Sequence, residues 1–136
     1  MNGSYLRSIM ALYELAIDCQ LTEVEINTIY KLCVQKGYIT EQCYICHKST
    51  EGIFEVISAT KGKKCYGVWV NGIELEPTHY ITHFQRPLGM KKYYHFAVTD
   101  KEGSVIFDPI PNSKTIQFGT IKRIIGFYVK LEENDE

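Results

Sequence analysis

Long apolar runs are missing from this chain. No stretch approaches the ~18 residues that a membrane-spanning helix needs,. Charge of one sign is missing too: 15 Lys and Arg face 16 Asp and Glu, a formal net charge of −1. That balance gives no global electrostatic case for a nucleic-acid partner. The local cluster Lys61, Lys63 and Lys64 reads as a solvated turn,. The opening segment MNGSYLRSIMALYELAIDC lacks the pattern of an export signal, because it has one Arg and carries Glu14 and Asp18 within its apolar run,. The expectation is a cytoplasmic protein with no membrane partner. Cysteine is too sparse and too odd in number for a disulfide scaffold. Five residues (Cys19, Cys33, Cys43, Cys46 and Cys65) fit a reducing compartment better,. Tryptophan occurs once, as Trp69, against ten tyrosines. No repeat or low-complexity segment is present.

What is there suits one soluble domain. The 136 residues are 45% apolar and 23% charged, enough to fill a single core,. The first part, about 1–60, reads as helical. Leu6, Ile9, Met10, Tyr13, Ala16 and Ile17 recur at spacings of three and four,. Ser4 is placed to cap that helix. Thr22 and Glu25 form a capping box ahead of a second stripe, Val24, Ile29, Leu32 and Cys33, which Gly37 should end,. Ser49, Thr50 and Glu51 open a third, shorter helix through Ile53, Phe54 and Ile57. From about 61 to 131 the texture is β: CYGVWV, a tight NG turn and IELE, then HYITHFQ up to a Pro87/Gly89 break. YYHFAVT and SVIFDP flank DKEG, and TIQFG and IKRIIGFYVKL complete the set,. The tail EENDE reads as frayed. The fold class is α+β, with N-terminal helices packed on a mostly antiparallel sheet.

The stretch YYHFAVTDKEGSVIFDP holds a histidine and an aspartate on the two arms of a hairpin. A four-residue loop, Asp100 to Gly103, would pair Thr99 with Ser104, Val98 with Val105, Phe96 with Phe107 and His95 with Asp108. Directly opposed Cβ atoms lie ~4.5–5.5 Å apart, close enough for a carboxylate to orient an imidazole. The pair reads as a structural cross-strand contact or as the orienting half of a catalytic site. A thiol or hydroxyl within reach of the histidine would complete such a site. Helix N-termini favour thiolates, which singles out Ser4 and, in the loop before the third helix, Cys43. Cys19 lies at a helix C-terminus, and Cys33 belongs to a buried stripe.

A helix with its nucleophile at the N-terminus, followed by a sheet carrying HF-x-V, a turn and DP, resembles the papain-like cysteine peptidase superfamily. The likeness is strongest to its compact bacterial branch related to bacteriocin-leader peptidases. NGSYLRSIMAL, LTEVEINTIYKLCVQKGYITEQCYI and HFAVTDKEGSVIFDP resemble a small bacterial and phage family of predicted cysteine peptidases. The likeness spans most of the chain except about 49–90. It implies a papain-like fold, a peptide or protein substrate, and roles for position 4 as nucleophile, His95 as base and Asp108 as orienting carboxylate. That family usually shows Gly-Cys-Tyr where this chain has Gly3-Ser4-Tyr5. Serine is isosteric but far less acidic, so little or no turnover is expected. Ser4 then marks an engineered replacement, a natural pseudoenzyme or a plain cap. The family's oxyanion donor, often a Gln before the nucleophile, has no counterpart; Asn2 or the backbone N–H groups of the helix start would substitute. Cys43 is a reserve nucleophile, with Gln42 too close to serve as its oxyanion donor. The alternative function is a non-catalytic protein-binding module of the kind a phage encodes for interaction or anti-defence.

Three patterns are decoys. CYICH at 43–47 matches a haem attachment signature but has no export signal beside it,. Cys43, Cys46, His47 and Cys65 could ligate zinc, yet a second tight ligand pair is missing. His79 and His83 share a face in a strand as readily as in a helix, with nothing acidic to complete a metal triad. Trp69 reads as packing rather than as a base-stacking platform. No cofactor or metal is expected, and oligomeric state is not encoded in any visible pattern.

Overall fold

Helix boundaries follow local chemistry. In the computed structural model, which describes residues 3–40, 47–111 and 113–132, α1 spans Ser4–Ile17, α2 Glu23–Gln35 and α3 Thr50–Lys61. The capping box forms as expected. Thr22 Oγ1 accepts from the Glu25 N–H at 3.1 Å, and Glu25 Oε1 accepts from the Thr22 N–H at 2.8 Å,. Gly37, at φ 75°, ends α2 in a Schellman motif: its N–H donates to the Val34 carbonyl and the Tyr38 N–H to that of Cys33,. Two expectations for these helices need correcting. Val24 is 75% exposed. It lies five residues before Ile29, some 140° round the helix, so the buried row is Ile29 and Cys33. Ser4 is not the cap of α1. Gly3 occupies that position, and Ser4 is the first helical residue.

The apolar stripe expected on α1 is buried except for half-buried Ala16, but so are Tyr5, Ser8, Ala11 and Leu12. The helix is covered on more than one side because it packs on the sheet and on α3. α3 runs on to Lys61, where Gly62 turns left-handed at φ 83°. A short 3-10 turn, His47–Ser49, precedes it.

Among the described residues, five antiparallel strands form one sheet in the order β1-β5-β2-β3-β4. They are β1 Cys65–Trp69, β2 His79–Leu88, β3 Lys91–Thr99, β4 Val105–Phe107 and β5 Thr120–Leu131. The core lies between this sheet and the helices, and its buried members include Ile9, Tyr13, Phe54, Ile81 and Phe127. The α+β expectation holds. Three local readings do not. IELE forms no strand, because β1 finds its partner in β5 across the chain, and Ile73 and Leu75 stay exposed. Pro87 does not break β2, which continues to Leu88 and turns at Gly89–Met90. TIQF lies in α4, Lys114–Phe118. Five residues are too few for period to separate helix from strand, and Gln85 of β2 is paired with Thr120, just beyond α4.

Candidate active site

β3 delivers His95 and the chain just past β4 delivers Asp108. His95 Nε2 lies 2.6 Å from Asp108 Oδ1. The ring is 2% exposed, and the carboxylate side chain 16%. Asp108 Oδ1 also accepts from the Ile110 N–H at 2.9 Å, which fixes the carboxylate on its own turn.

The expected contact is present, but the expected register is not. Thr99 opposes Val105 and Val98 opposes Phe107. The loop is one residue longer than expected because Asp100 folds Ser104 into the turn. Its Oδ1 accepts from the N–H groups of Glu102 and Ser104, at 2.9 and 3.0 Å. A bulge at Ile106 then adds a second residue,. His95 and Asp108 therefore meet diagonally beyond the ladder of a three-residue strand, not as a directly opposed pair.

α1 approaches the same place. Where β4 has ended, the backbone of Phe96 is engaged by two hydroxyls from one face of the helix. Ser4 Oγ accepts from the Phe96 N–H at 3.2 Å, and Ser8 Oγ donates to the Phe96 carbonyl at 3.3 Å. Positions four apart on a helix share a face, so the pair replaces the ladder bonds a longer β4 would make. Ser4 thus sits against the residue next to His95. Ser8 was missed by sequence reasoning, although the Ser-x-x-x-Ser spacing was visible. Tyr5, beside Ser4, packs edge-on against the Phe96 ring at 4.9 Å between centroids and hydrogen-bonds through its hydroxyl to His47 Nδ1.

Behind Phe96 lies a second histidine. His83 stacks on the Phe96 ring at 4.3 Å, and its buried Nε2 has no partner among the described residues. Burial, helped by Lys122, Arg123 and His47, pushes His83 down to about 4. Burial and Arg123 do the same to His47. Both rings stay neutral near pH 7. His79 lies on the same strand, where burial lowers its pKa.

The remaining sequence candidates fall elsewhere. Cys33 and Cys65 are buried free thiols whose pKa burial raises to about 11, so neither is an activated nucleophile,. Cys19 is exposed. Cys43, Cys46, Gln42 and Asn2 lie outside the described residues, as does the acidic tail from 133 on. Among the described residues no group of three His, Cys, Asp or Glu side chains is placed to hold a metal ion, and no helix is long and apolar enough to cross a membrane. Trp69 packs at the core margin, 5.1 Å from the His47 ring. Lys61 pairs with Glu25, and Lys64 with Glu132, each at 3.2 Å.

No curated protein and no solved structure matches the chain. A family model described as "Protein of unknown function, DUF261" matches residues 1–128. That span takes in α1 to α4 and the whole site of Ser4, His95 and Asp108, and so the chain belongs to the DUF261 family.

Proposed function

We propose that this domain is a papain-like thiol-hydrolase scaffold whose nucleophile position is filled by Ser4. The observation that carries the reading is the His95–Asp108 bond of 2.6 Å next to a helix start whose Ser4 side chain is tied to the Phe96 amide. With Nε2 held by Asp108, Nδ1 is the ring nitrogen left to exchange a proton with a nucleophile. A cysteine at position 4 would gain from the helix N-terminus and from the Phe96 N–H, both of which favour its anionic form. The thiolate would attack a peptide or amide carbonyl, and the imidazolium would protonate the leaving amine. Water, deprotonated by His95, would then release the acyl group and restore the thiol. Early N–H groups of α1 are the available oxyanion donors. No cofactor enters this chemistry. A reducing, cytoplasmic setting suits the free thiols. As written, with serine, the chain turns over little or no substrate.

A second reading is favoured by one observation. Ser4 is only 2% exposed and its oxygen already serves a backbone donor. A hydroxyl so placed can be purely structural, in a pseudoenzyme that binds a protein partner without cleaving it.

Ser4→Cys treated with iodoacetamide separates the two. The hydrolase reading expects labelling at position 4 far faster than at exposed Cys19, lost in the Ser4→Cys/His95→Ala double variant. Labelling no faster than at Cys19, or indifferent to His95, leaves the binding module.

A further inference from the structure

The β2–β3 ribbon outruns its neighbours. β5 leaves β2 at the Gln85–Thr120 pair. β2 and β3 stay paired through Arg86–Tyr93, Pro87–Lys92 and Leu88–Lys91, and β4 touches β3 only at Val98 and Thr99. Three rungs and the Gly89–Met90 turn therefore project with no strand beside them. α4 packs beside the ribbon's base, where Arg86 lies over Phe118, and the ribbon ends in apolar side chains. Met90 is fully exposed and Leu88 is 52% exposed.

The order of residues behind that tip is specific. Exposed Lys91 and Lys92 follow Met90, and Tyr93 and Tyr94, both partly exposed, come next. At the ribbon's base, α4 and the start of β5 add Lys114, Lys122 and Arg123, all exposed. The chain is nearly neutral, yet residues 77–99 and 109–131 contain no Asp or Glu. Among the described residues, none of the cations at this end is held in an ion pair.

We propose that this ribbon docks on an anionic membrane surface. Met90 leads into the acyl boundary with Leu88 behind it. Lys91, on the same rung as Leu88, and Lys92 extend back to lipid phosphates, and the tyrosines rest at the headgroup level. An apolar tip flanked by cations and interfacial tyrosines is the composition of an interfacial anchor. Three rungs reach about 10 Å, which matches the depth to which such anchors bury. The expectation of no membrane partner rested on the lack of a spanning segment, which a surface contact does not need. A single-stranded nucleic acid fits less well. It would need free aromatic faces for stacking, but Arg86 lies over the Phe118 ring at 5.3 Å and Lys122 over that of Tyr94 at 5.0 Å. An aliphatic tip gains nothing from a phosphate backbone.

Co-sedimentation of the whole chain with phosphatidylcholine vesicles, with and without phosphatidylserine, tests this. Binding is expected only to the phosphatidylserine vesicles, and it should weaken as salt shortens the screening length. Each cation near such a surface contributes about 1 kcal/mol, so Lys91→Ala/Lys92→Ala should weaken binding roughly 30-fold. Met90→Asp, at a fully solvated position, should fold normally and lose most of the binding. Three results overturn the proposal: no binding to phosphatidylserine vesicles, binding that Met90→Asp leaves unchanged, or retention of a single-stranded oligonucleotide in place of vesicles.

Discussion

Replacing His83 by Phe should flatten the acid sensitivity of this fold. His83 lies flat on Phe96 and faces the rings of Tyr94 and Phe96, the cations Lys122 and Arg123, and His47. Its Nε2 has no partner among the described residues. Burial holds it at about 4, below the ordinary 6.5. Between those two values the unfolded chain takes up a proton and the folded protein does not. The neutral ring's share of stability is therefore intact above pH 6.5 and drains away as pH falls toward 4. From pH 8 to pH 5 the whole effect amounts to about 2 kcal/mol. The ring is partly open to solvent, and screening leaves about 1 kcal/mol,. Phe keeps the stacked plane and removes the proton site. Urea denaturation of both proteins at pH 8 and pH 5 measures the difference. The loss on acidification should be about 1 kcal/mol smaller in His83→Phe, while His47, common to both, largely cancels. Equal losses in the two proteins would refute the assignment of a neutral, unpartnered ring to the folded state.

Two further substitutions probe the geometry around the site. Ser8→Ala removes the donor to the Phe96 carbonyl and should cost about 1 kcal/mol in denaturant unfolding. In the Ser4→Cys background it should also slow alkylation at position 4, because β3 is no longer held against α1. Gly67→Ala should destabilise by roughly 1–3 kcal/mol, since a methyl there would run into the Phe54 ring in the packed core,. A melting curve unchanged by Gly67→Ala would place α3 farther from β1 than described.

The sequence by itself determined the three N-terminal helices and both ends of α2, since these are local. A capping box needs residues three apart, and a left-handed glycine needs only its own backbone. It also determined that His95 and Asp108 sit on the two arms of one turn. Tertiary structure decided the rest. The register was set by an Asp100 side chain that drew Ser104 into the loop and by a bulge at Ile106, and neither leaves a period in the sequence. β1 paired with β5, about sixty positions away on the chain, and so NG-IELE never became a hairpin. Ser4 looked like a cap, yet its oxygen went to the Phe96 amide ninety-two residues on. A hydroxyl takes whichever donor is nearest, and for this one only the packing of α1 against β3 settles which donor that is.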